Sequence, residues 1–171
     1  MYSTDPLRDT EFLIRRVYAY VAYRVGDGPD AEDITSEVFE RALRYRKSYD
    51  SRKGEPVAWL IGIARTCING ASPPEELLAD PDELEDAIDS DAEDTRVDRL
   101  DLHSAIEALD ERDRELIALR YGADLTARQI ASLLAERTNT VEVALHRALG
   151  RLRATLGAEK GARGRMRVDS A

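Results

Sequence analysis

Cysteine, histidine and aromatic residues are scarce in this sequence, and each shortage excludes a class of protein. Among 171 residues there are one cysteine, two histidines and an aromatic fraction of 6%. Because Cys67 is the single cysteine, neither an intramolecular disulfide nor a thiolate metal cluster can form. His103 and His146 lie far apart and have no metal-ligand spacing. We therefore expect no disulfide framework, no bound metal and a reducing compartment.

Signals for export, membrane insertion and catalysis are also missing. Residues 1–11 lack the basic and apolar regions of a signal peptide. No apolar run approaches the roughly 20 residues needed to cross a bilayer. The sequence contains no glycine-rich phosphate loop, no nucleophile elbow and no carboxylate pair in an apolar setting. These absences predict a cytoplasmic protein without membrane insertion, enzymatic activity or cofactor.

Charge is distributed very unevenly along the chain. The net charge of −9 would by itself disfavour contact with nucleic acid. Residues 1–74 are balanced, with 11 acids and 11 bases, whereas residues 75–115 hold 18 acids and only 4 bases. Residues 143–171 hold 7 bases and 2 acids. The acidity therefore belongs to one middle segment, and the basic C-terminal end is compatible with DNA binding.

Hydrophobic periodicity predicts three amphipathic helices in residues 1–70. The first covers about residues 9–25, and the second begins with Asp30 as a candidate N-cap. The third begins at Pro56, a residue favoured in the first turn of a helix. It ends where Gly70 is suited to the left-handed capping position. Three such helices predict a compact N-terminal bundle.

A second helical domain is predicted after a linker. Residues 71–99 are rich in acids and lack aromatic residues, which is typical of a flexible spacer. Residues 100–156 contain Thr126 and Gln129 at capping-box spacing, then a helix, a short turn and a last helix with a polar N-terminus. This pattern predicts a helix-turn-helix. Residues 157–171 are predicted to be a basic disordered tail. The predicted fold is all-α, with two small helical domains joined by an acidic linker.

Two sets of short motifs, arranged in the right order, resemble those of the extracytoplasmic-function sigma factors of bacterial RNA polymerase. The first set is similar to the core domain of that family and consists of Asp30-Ala31-Glu32-Asp33-Ile34, Gly54-Glu55-Pro56 and Trp59-Leu60-Ile61-Gly62-Ile63-Ala64-Arg65. The second is similar to its C-terminal helix-turn-helix and includes Leu119-Arg120-Tyr121, Gln129-Ile130-Ala131 and Thr140-Val141. The matching segments span most of the chain apart from the acidic linker and the tail.

The resemblance implies roles for three groups of residues. The second helix would dock on the clamp of core RNA polymerase through Asp33, Glu37, Phe39 and Arg41. The loop after it and the third helix would hold the separated strand of the minus-ten element. Unstacked bases need stacking faces and phosphate-neutralising charge, here Tyr49, Arg52, Lys53, Trp59 and Arg65. The last helix would read the minus-thirty-five element in the major groove through Thr138, Asn139, Thr140, Glu142 and His146, with phosphates bound by Arg128, Arg147 and Arg151.

The resemblance also implies partners: core RNA polymerase, promoter DNA and an anti-sigma factor. The acidic linker would thread polymerase channels whose basic walls otherwise hold nucleic acid. Two side chains keep a second interpretation open. Trp59 lies beside Leu60 and Ile61, and a tryptophan in such a setting is more often a core residue than a base contact. Glu136 lies in the turn of the helix-turn-helix, where it should destabilise the domain unless its carboxylate swings outward.

The sequence leaves three hypotheses for function. Glu142, Val143 and Ala144 stand where the family usually has basic residues. A glutamate near phosphates replaces an attraction by a repulsion, with a combined effect above about 1 kcal/mol, although it could accept from a cytosine amino group. The leading hypothesis is a sigma factor that directs promoter-specific initiation. The first alternative is a diverged sigma-like protein that binds polymerase or an anti-sigma factor without autonomous promoter recognition. The second is a helix-turn-helix regulator that binds operators directly as a dimer.

Overall fold

A computed structural model describes residues 5–70 and 96–168, with side chains for residues 5–70 and 102–158, and the regular structure in these parts is helical. In chain order the α-helices are α1 (Thr10–Val25), α2 (Pro29–Tyr45), α3 (Pro56–Asn69), α4 (Arg96–Glu107), α5 (Glu111–Ile117), α6 (Ala127–Leu134) and α7 (Thr138–Val168). A 3₁₀ turn (Arg46–Ser48) follows α2, and a π-helical turn (Ala118–Gly122) continues α5. The all-α fold predicted from the sequence is confirmed.

The first domain is a bundle of three helices that each bury one face. Burial recurs every three or four residues, as expected for helices with one apolar stripe. The buried apolar side chains include Leu13, Val17, Tyr20 and Val21 in α1, Ala31, Val38 and Ala42 in α2, and Val57, Leu60, Ile61 and Ala64 in α3. Each large side chain removed from water in this way stabilises the bundle by roughly 1.5–3 kcal/mol.

The helix ends of this bundle follow from the residues at the boundaries, with one correction. Pro56 begins α3, and Gly70 ends it in the left-handed region at φ 64°, both as predicted. The helix α2 begins one residue earlier than expected, because Pro29 occupies its first turn and Gly28 is the N-cap. The ring of Pro29 fixes φ near the helical value. Asp30 was therefore wrongly predicted as the N-cap and lies inside the first turn.

The second domain contains the predicted helix-turn-helix, formed by α6 and α7. The capping box at the start of α6 is confirmed: the backbone N–H of Gln129 donates to Thr126 Oγ1 (3.2 Å), and the backbone N–H of Thr126 donates to Gln129 Oε1 (2.8 Å). The helix ends at Ala135, which adopts the left-handed conformation at φ 54°. The backbone N–H of Glu136 then donates to Ala131 O (2.8 Å), which closes the turn without glycine.

The turn contains Glu136, an acid expected to destabilise the domain unless its carboxylate swings outward. Its Oε1 forms an ion pair with Arg112, an exposed arginine at the start of α5. This pair joins the helix-turn-helix to α5. The other oxygen, Oε2, is buried without a hydrogen-bond partner, so the acid is only partly compensated at this position.

Two sequence predictions concern the domain boundaries. Residues 71–95 of the predicted acidic linker lie outside the described residues, and α4 already begins at Arg96. The predicted tail starts inside α7, since this helix continues as far as Val168. Alanine, lysine, arginine and methionine lie between the glycines there, and the segment contains no proline that would break a helix. Within residues 5–70 and 96–168, no helix combines the length and apolar content needed to cross a membrane.

The two domains pack against each other through α1 and the π-helical turn. Apolar side chains from both sides form one continuous core, in which Val17 and Val21 of α1 join Leu116 and Leu119 of the second domain. A smaller core behind it contains Ala105, Ile106, Leu109, Ile117, Ala148 and Leu152. The sequence left the domain arrangement open, and the structure gives a closed one.

We predict that Thr126→Ala lowers the free energy of unfolding by about 1 kcal/mol, because the variant loses the side-chain half of the capping box. Chemical denaturation followed by circular dichroism measures this change. Ser132→Ala, in the same helix, is the matched control and should leave stability unchanged or slightly higher. Equal midpoints for the two variants would show that the capping box does not stabilise α6.

Candidate polymerase and promoter interfaces

The helix α2 presents a charged face next to an apolar end. Asp33 and Glu37 are exposed, and Arg41 Nη2 lies 2.5 Å from Glu37 Oε1 one turn away. Phe39 is half-buried and packs against the core instead of standing free. Of the predicted polymerase-binding residues, Asp33, Glu37 and Arg41 therefore form the charged face of α2, whereas Phe39 packs against the core beneath it.

Two large side chains near the end of α2 are exposed. Leu43 is 60% exposed and Tyr45 is 41% exposed. Leu43 lies one position beyond Ala42, so the helical rotation of about 100° per residue takes it off the buried stripe. Single exposed apolar side chains are ordinary on protein surfaces, so it is the position of Leu43 beside the charged face, and not its exposure alone, that makes it a candidate for a docking contact.

An aromatic pair joins the loop after α2 to the first turn of α3. The ring centroids of Tyr49 and Trp59 are 5.4 Å apart, at an interplanar angle of 57°. The Tyr49 hydroxyl donates to Gly54 O (3.0 Å), which ties the loop together. Burial raises the pKa of the Tyr49 phenol, so the hydroxyl remains a donor at neutral pH. Trp59 is half-buried and packs against the core. It therefore has a core contact and a partly exposed surface beside Tyr49.

The cations of this loop differ in their surroundings. Arg52 and Lys53 are exposed. Arg52 binds Asp50 with two hydrogen bonds, Nε to Oδ1 (3.0 Å) and Nη2 to Oδ2 (2.9 Å). These hydrogen bonds lower the pKa of Asp50, which stays ionised beside the arginine. Arg65 lies at a different contact, because its Nε is 3.0 Å from Glu115 Oε1 in the second domain.

The N-terminal part of α7 is a polar surface over a buried stripe. Val141, Leu145, Ala148 and Leu152 are buried in the core. The predicted base-reading and phosphate-binding side chains of this helix are all exposed: Thr138, Asn139, Thr140, Glu142, His146, Arg147 and Arg151. Arg128 of α6 is exposed as well. The sequence pattern therefore located a continuous polar face at the start of the last helix.

Arg151 has a second partner that the sequence analysis missed. Its guanidinium binds the Asp113 carboxylate through Nη2 to Oδ1 (2.6 Å) and through Nε to Oδ2. The side chain of Asp113 is only 4% exposed. The signal is weak in the sequence, because 38 positions separate the two residues and nothing local links them. Arg151 neutralises a buried carboxylate and thereby joins α7 to α5.

Two small helical domains, the second with a helix-turn-helix whose last helix exposes a polar N-terminal face, define a class of two-domain DNA-binding proteins. The family models for "Sigma-70 region 2" and "Sigma-70, region 4" match residues 12–69 and 99–152. RNA polymerase sigma factor SigV of Bacillus subtilis is 33% identical over 158 residues, which cover 91% of this chain and 89% of SigV. The chain belongs to the extracytoplasmic-function sigma factors, the subunits that direct RNA polymerase to promoters.

Further relatives agree with this assignment. The sigma factor BldN of Streptomyces coelicolor is 30% identical over 140 residues, or 78% of this chain, and the match spans only 53% of BldN. Among solved structures, the sigma factor RpoE of Bartonella quintana, in complex with the anti-sigma factor NepR, has a TM-score of 0.66 at 18% identity and covers 88% of this chain and 95% of its own. CnrH, in complex with the cytosolic domain of CnrY, has a TM-score of 0.60 at 20% identity, covering 89% and 85%. These two structures share the fold.

We predict that Arg151→Ala lowers the thermal midpoint, whereas Arg147→Ala does not, because only Arg151 compensates a buried carboxylate. Arg147→Ala should instead reduce the salt dependence of duplex DNA binding by about one phosphate contact. Thermal unfolding and titration of a labelled mixed-sequence duplex at several salt concentrations measure the two effects. If Arg151→Ala melted like the parent and lost one phosphate contact, Arg151 would be a DNA ligand and its pair with Asp113 would be incidental.

Proposed function

We propose that this sigma factor docks on core RNA polymerase through the charged face of α2 and recognises promoters with two separate surfaces. Asp33 and Glu37 supply exposed charge for the docking contact, the half-buried Arg41 pairs with Glu37 on the same face, and Leu43 supplies apolar area beside them. A rim of charge around an apolar centre gives orientation and affinity together. Binding and positioning, with no catalysis by this chain, are sufficient for the role.

The loop and start of α3 form the proposed minus-ten surface. Single-stranded bases bind by stacking on aromatic rings, at roughly 1–3 kcal/mol per base. Trp59 and Tyr49 offer such rings side by side, and Arg52 and Lys53 add positive charge within the same loop. Two hydrogen bonds to Asp50 hold the Arg52 guanidinium in place.

The N-terminal face of α7 is the proposed minus-thirty-five surface. Its exposed polar side chains are the observation on which the proposal rests most strongly. Thr138, Asn139 and Thr140 offer hydroxyl and amide groups for base edges in the major groove. Arg147 and Arg128 lie on the exposed side, where phosphates would pass. The opposite side of α7 is buried in the core of the domain. The exposed polar side is therefore the one that can contact DNA.

The proposal extends to regulation and cellular location. RpoE of Bartonella quintana was crystallised with its anti-sigma factor. Its fold is shared by this chain, which supports an anti-sigma partner here as well. Polymerase and chromosome lie in the bacterial cytoplasm, so the proposed work of the chain is done there.

Reconstituted transcription tests the proposed function. The purified chain is added to core RNA polymerase on a library of fragmented genomic DNA from its own bacterium, and transcript starts are mapped. We expect discrete new start sites that share two sequence elements. Stable polymerase binding without start sites would favour a diverged sigma-like decoy, and absence of polymerase binding would contradict both readings. DNA binding as a dimer without polymerase would favour an operator-binding regulator.

One observation favours keeping the decoy as a second candidate. Glu142 is exposed on α7 one position after the buried Val141, where its carboxylate faces the same side as the proposed DNA contacts. Like charge beside phosphates weakens binding at low salt. A chain that binds polymerase while repelling DNA would behave as a decoy.

We predict that Glu142→Lys strengthens duplex DNA binding and steepens its salt dependence by about one phosphate contact, because a repulsion becomes an attraction. Titration of a labelled duplex at several salt concentrations measures both. Ala154→Lys, an exposed position about three turns further along α7, is the matched control and should change neither strongly. A loss of promoter transcription in Glu142→Lys with stronger nonspecific binding would show that Glu142 reads a base, as acceptance from cytosine requires.

A further inference from the structure

A buried carboxylate of the second domain is bound entirely by side chains of the first. Glu115, on α5, has a side chain that is 10% exposed. The Tyr20 hydroxyl donates to Oε1 (3.0 Å) and also lies 3.1 Å from Oε2. Arg65 Nε is 3.0 Å from Oε1, and Arg24 Nε is 3.0 Å from Oε2, although its N–H is not aligned for a hydrogen bond. We call these four residues the Glu115 cluster.

The Glu115 cluster is built to hold charge away from water. The side chain of Arg24 is 8% exposed and that of Arg65 is 30% exposed. Burial raises the pKa of Tyr20 well above its ordinary value, and the Glu115 charge adds to the rise, so the phenol stays a donor. A carboxylate this deep in a protein requires such partners, since its desolvation is otherwise strongly unfavourable. The closed arrangement supplies them.

A second group of polar contacts joins the same two surfaces. Arg16 of α1 donates through Nε to Ala123 O (2.7 Å) and through Nη2 to Asp124 O (2.6 Å). These carbonyls follow the π-helical turn and have no partner within a helix, so a cation there is favourable. The side chain of Arg16 is 17% exposed. Arginines of the first domain therefore satisfy both a carboxylate and free carbonyls of the second.

The backbones at this interface are also in direct contact. A Cβ added to Gly122 would lie 2.8 Å from Tyr20 Cα and 2.9 Å from Tyr20 N, closer than real Cβ atoms come. Gly122 ends the π-helical turn, which is closed by the hydrogen bond from the N–H of Ala123 to Ala118 O (2.9 Å). The wider π turn presents Gly122 to α1, and only glycine leaves room for this approach.

The closed arrangement is too short to occupy a whole promoter. Elements at minus ten and minus thirty-five lie about 25 base pairs apart, or about 85 Å along B-DNA at roughly 3.4 Å per base pair. A compact chain of 171 residues has a radius of gyration of about 16 Å, and α7, the longest helix among the described residues, is about 46 Å long, so both lengths are well short of 85 Å. Both proposed DNA surfaces can therefore be used together only after the domains separate.

We propose that Glu115 is an internal competitor of promoter DNA, which holds Arg65 in the closed chain and yields it to strand phosphates when the domains open. This inference rests on the proposed function of the minus-ten surface. The Arg65 cation is neutralised in both states, first by a carboxylate and then by phosphate. Opening therefore leaves no buried charge without a partner, and the first domain gains positive surface only when it separates from the second.

Glu115→Gln tests the competition, since it removes the charge and keeps the size of the side chain. The probe is a labelled single-stranded DNA of mixed sequence and about 12 nucleotides, titrated by fluorescence anisotropy. We expect binding about tenfold tighter than in the parent chain, because the binding-competent fraction is larger. X-ray scattering in solution should give a larger radius of gyration, and circular dichroism checks that helix content is unchanged.

Gly122→Ala is an independent test that alters no charge. Its added Cβ meets the α1 backbone and should separate the domains, so this variant should also expand and bind the single strand more tightly. Gly150→Ala is the matched control, since nothing lies within 4 Å of its added Cβ. It should match the parent in size and affinity.

Arg65→Ala distinguishes competition from simple opening. Combined with Glu115→Gln, it should leave the chain expanded and abolish the tenfold gain. A gain that persists without Arg65 would overturn the proposal, as would variants that stay as compact as the parent or expand without binding the strand more tightly. Failure of the proposed function is seen separately, as absence of transcript starts with core polymerase while these binding changes still occur.

Discussion

The closed structure depends on the contact between the Glu115 carboxylate and the side chains of Tyr20, Arg24 and Arg65. A buried charge destabilises a fold strongly when its partners are removed, even where the intact pair contributes little net stability. The buried carboxylate therefore determines how the two domains are positioned relative to each other. Apolar contacts between Val17, Val21, Leu116 and Leu119 favour burial in general, whereas the carboxylate accepts one register of α1 against α5. Gly122 then allows the two backbones to approach, and Arg16 binds the carbonyls that follow the π-helical turn.

This interface explains why the proposed promoter surfaces have different accessibility. The polar face at the start of α7 is exposed in the closed chain, and so are Arg52 and Lys53 in the loop before α3. Arg65, from the same set of predicted DNA contacts, is engaged by the second domain. Arg65 therefore becomes available to DNA only when the domains separate, whereas the pairs of Arg52 with Asp50 and of Arg151 with Asp113 lie within one domain and do not depend on that separation. An anti-sigma factor or the polymerase itself would act on this equilibrium by favouring one arrangement.

Features set by residues close together in the sequence, such as helices and their caps, could be predicted. Apolar spacing predicted the three helices of the first domain, and Thr126 with Gln129 predicted a capping box that is present. The contacts of Glu115, Arg65 and Arg151 could not be predicted, because each joins residues that are distant in sequence and no pattern specifies which acid meets which base. Helical propensity also exceeded the effect of the glycines near the C-terminus, so α7 continues beyond its expected end.

A distance between the domains tests the central claim most directly. Spin labels at Ser36→Cys on α2 and Ala154→Cys on α7, both exposed positions, in a Cys67→Ser background, would be measured by pulsed dipolar spectroscopy. The measurement is made on the free chain and on the chain bound to core polymerase and promoter DNA. The account predicts a short, narrow distance distribution in the free chain and separation beyond about 60 Å on the promoter, as the spacing of the two elements requires. The same short distance in both states would contradict it.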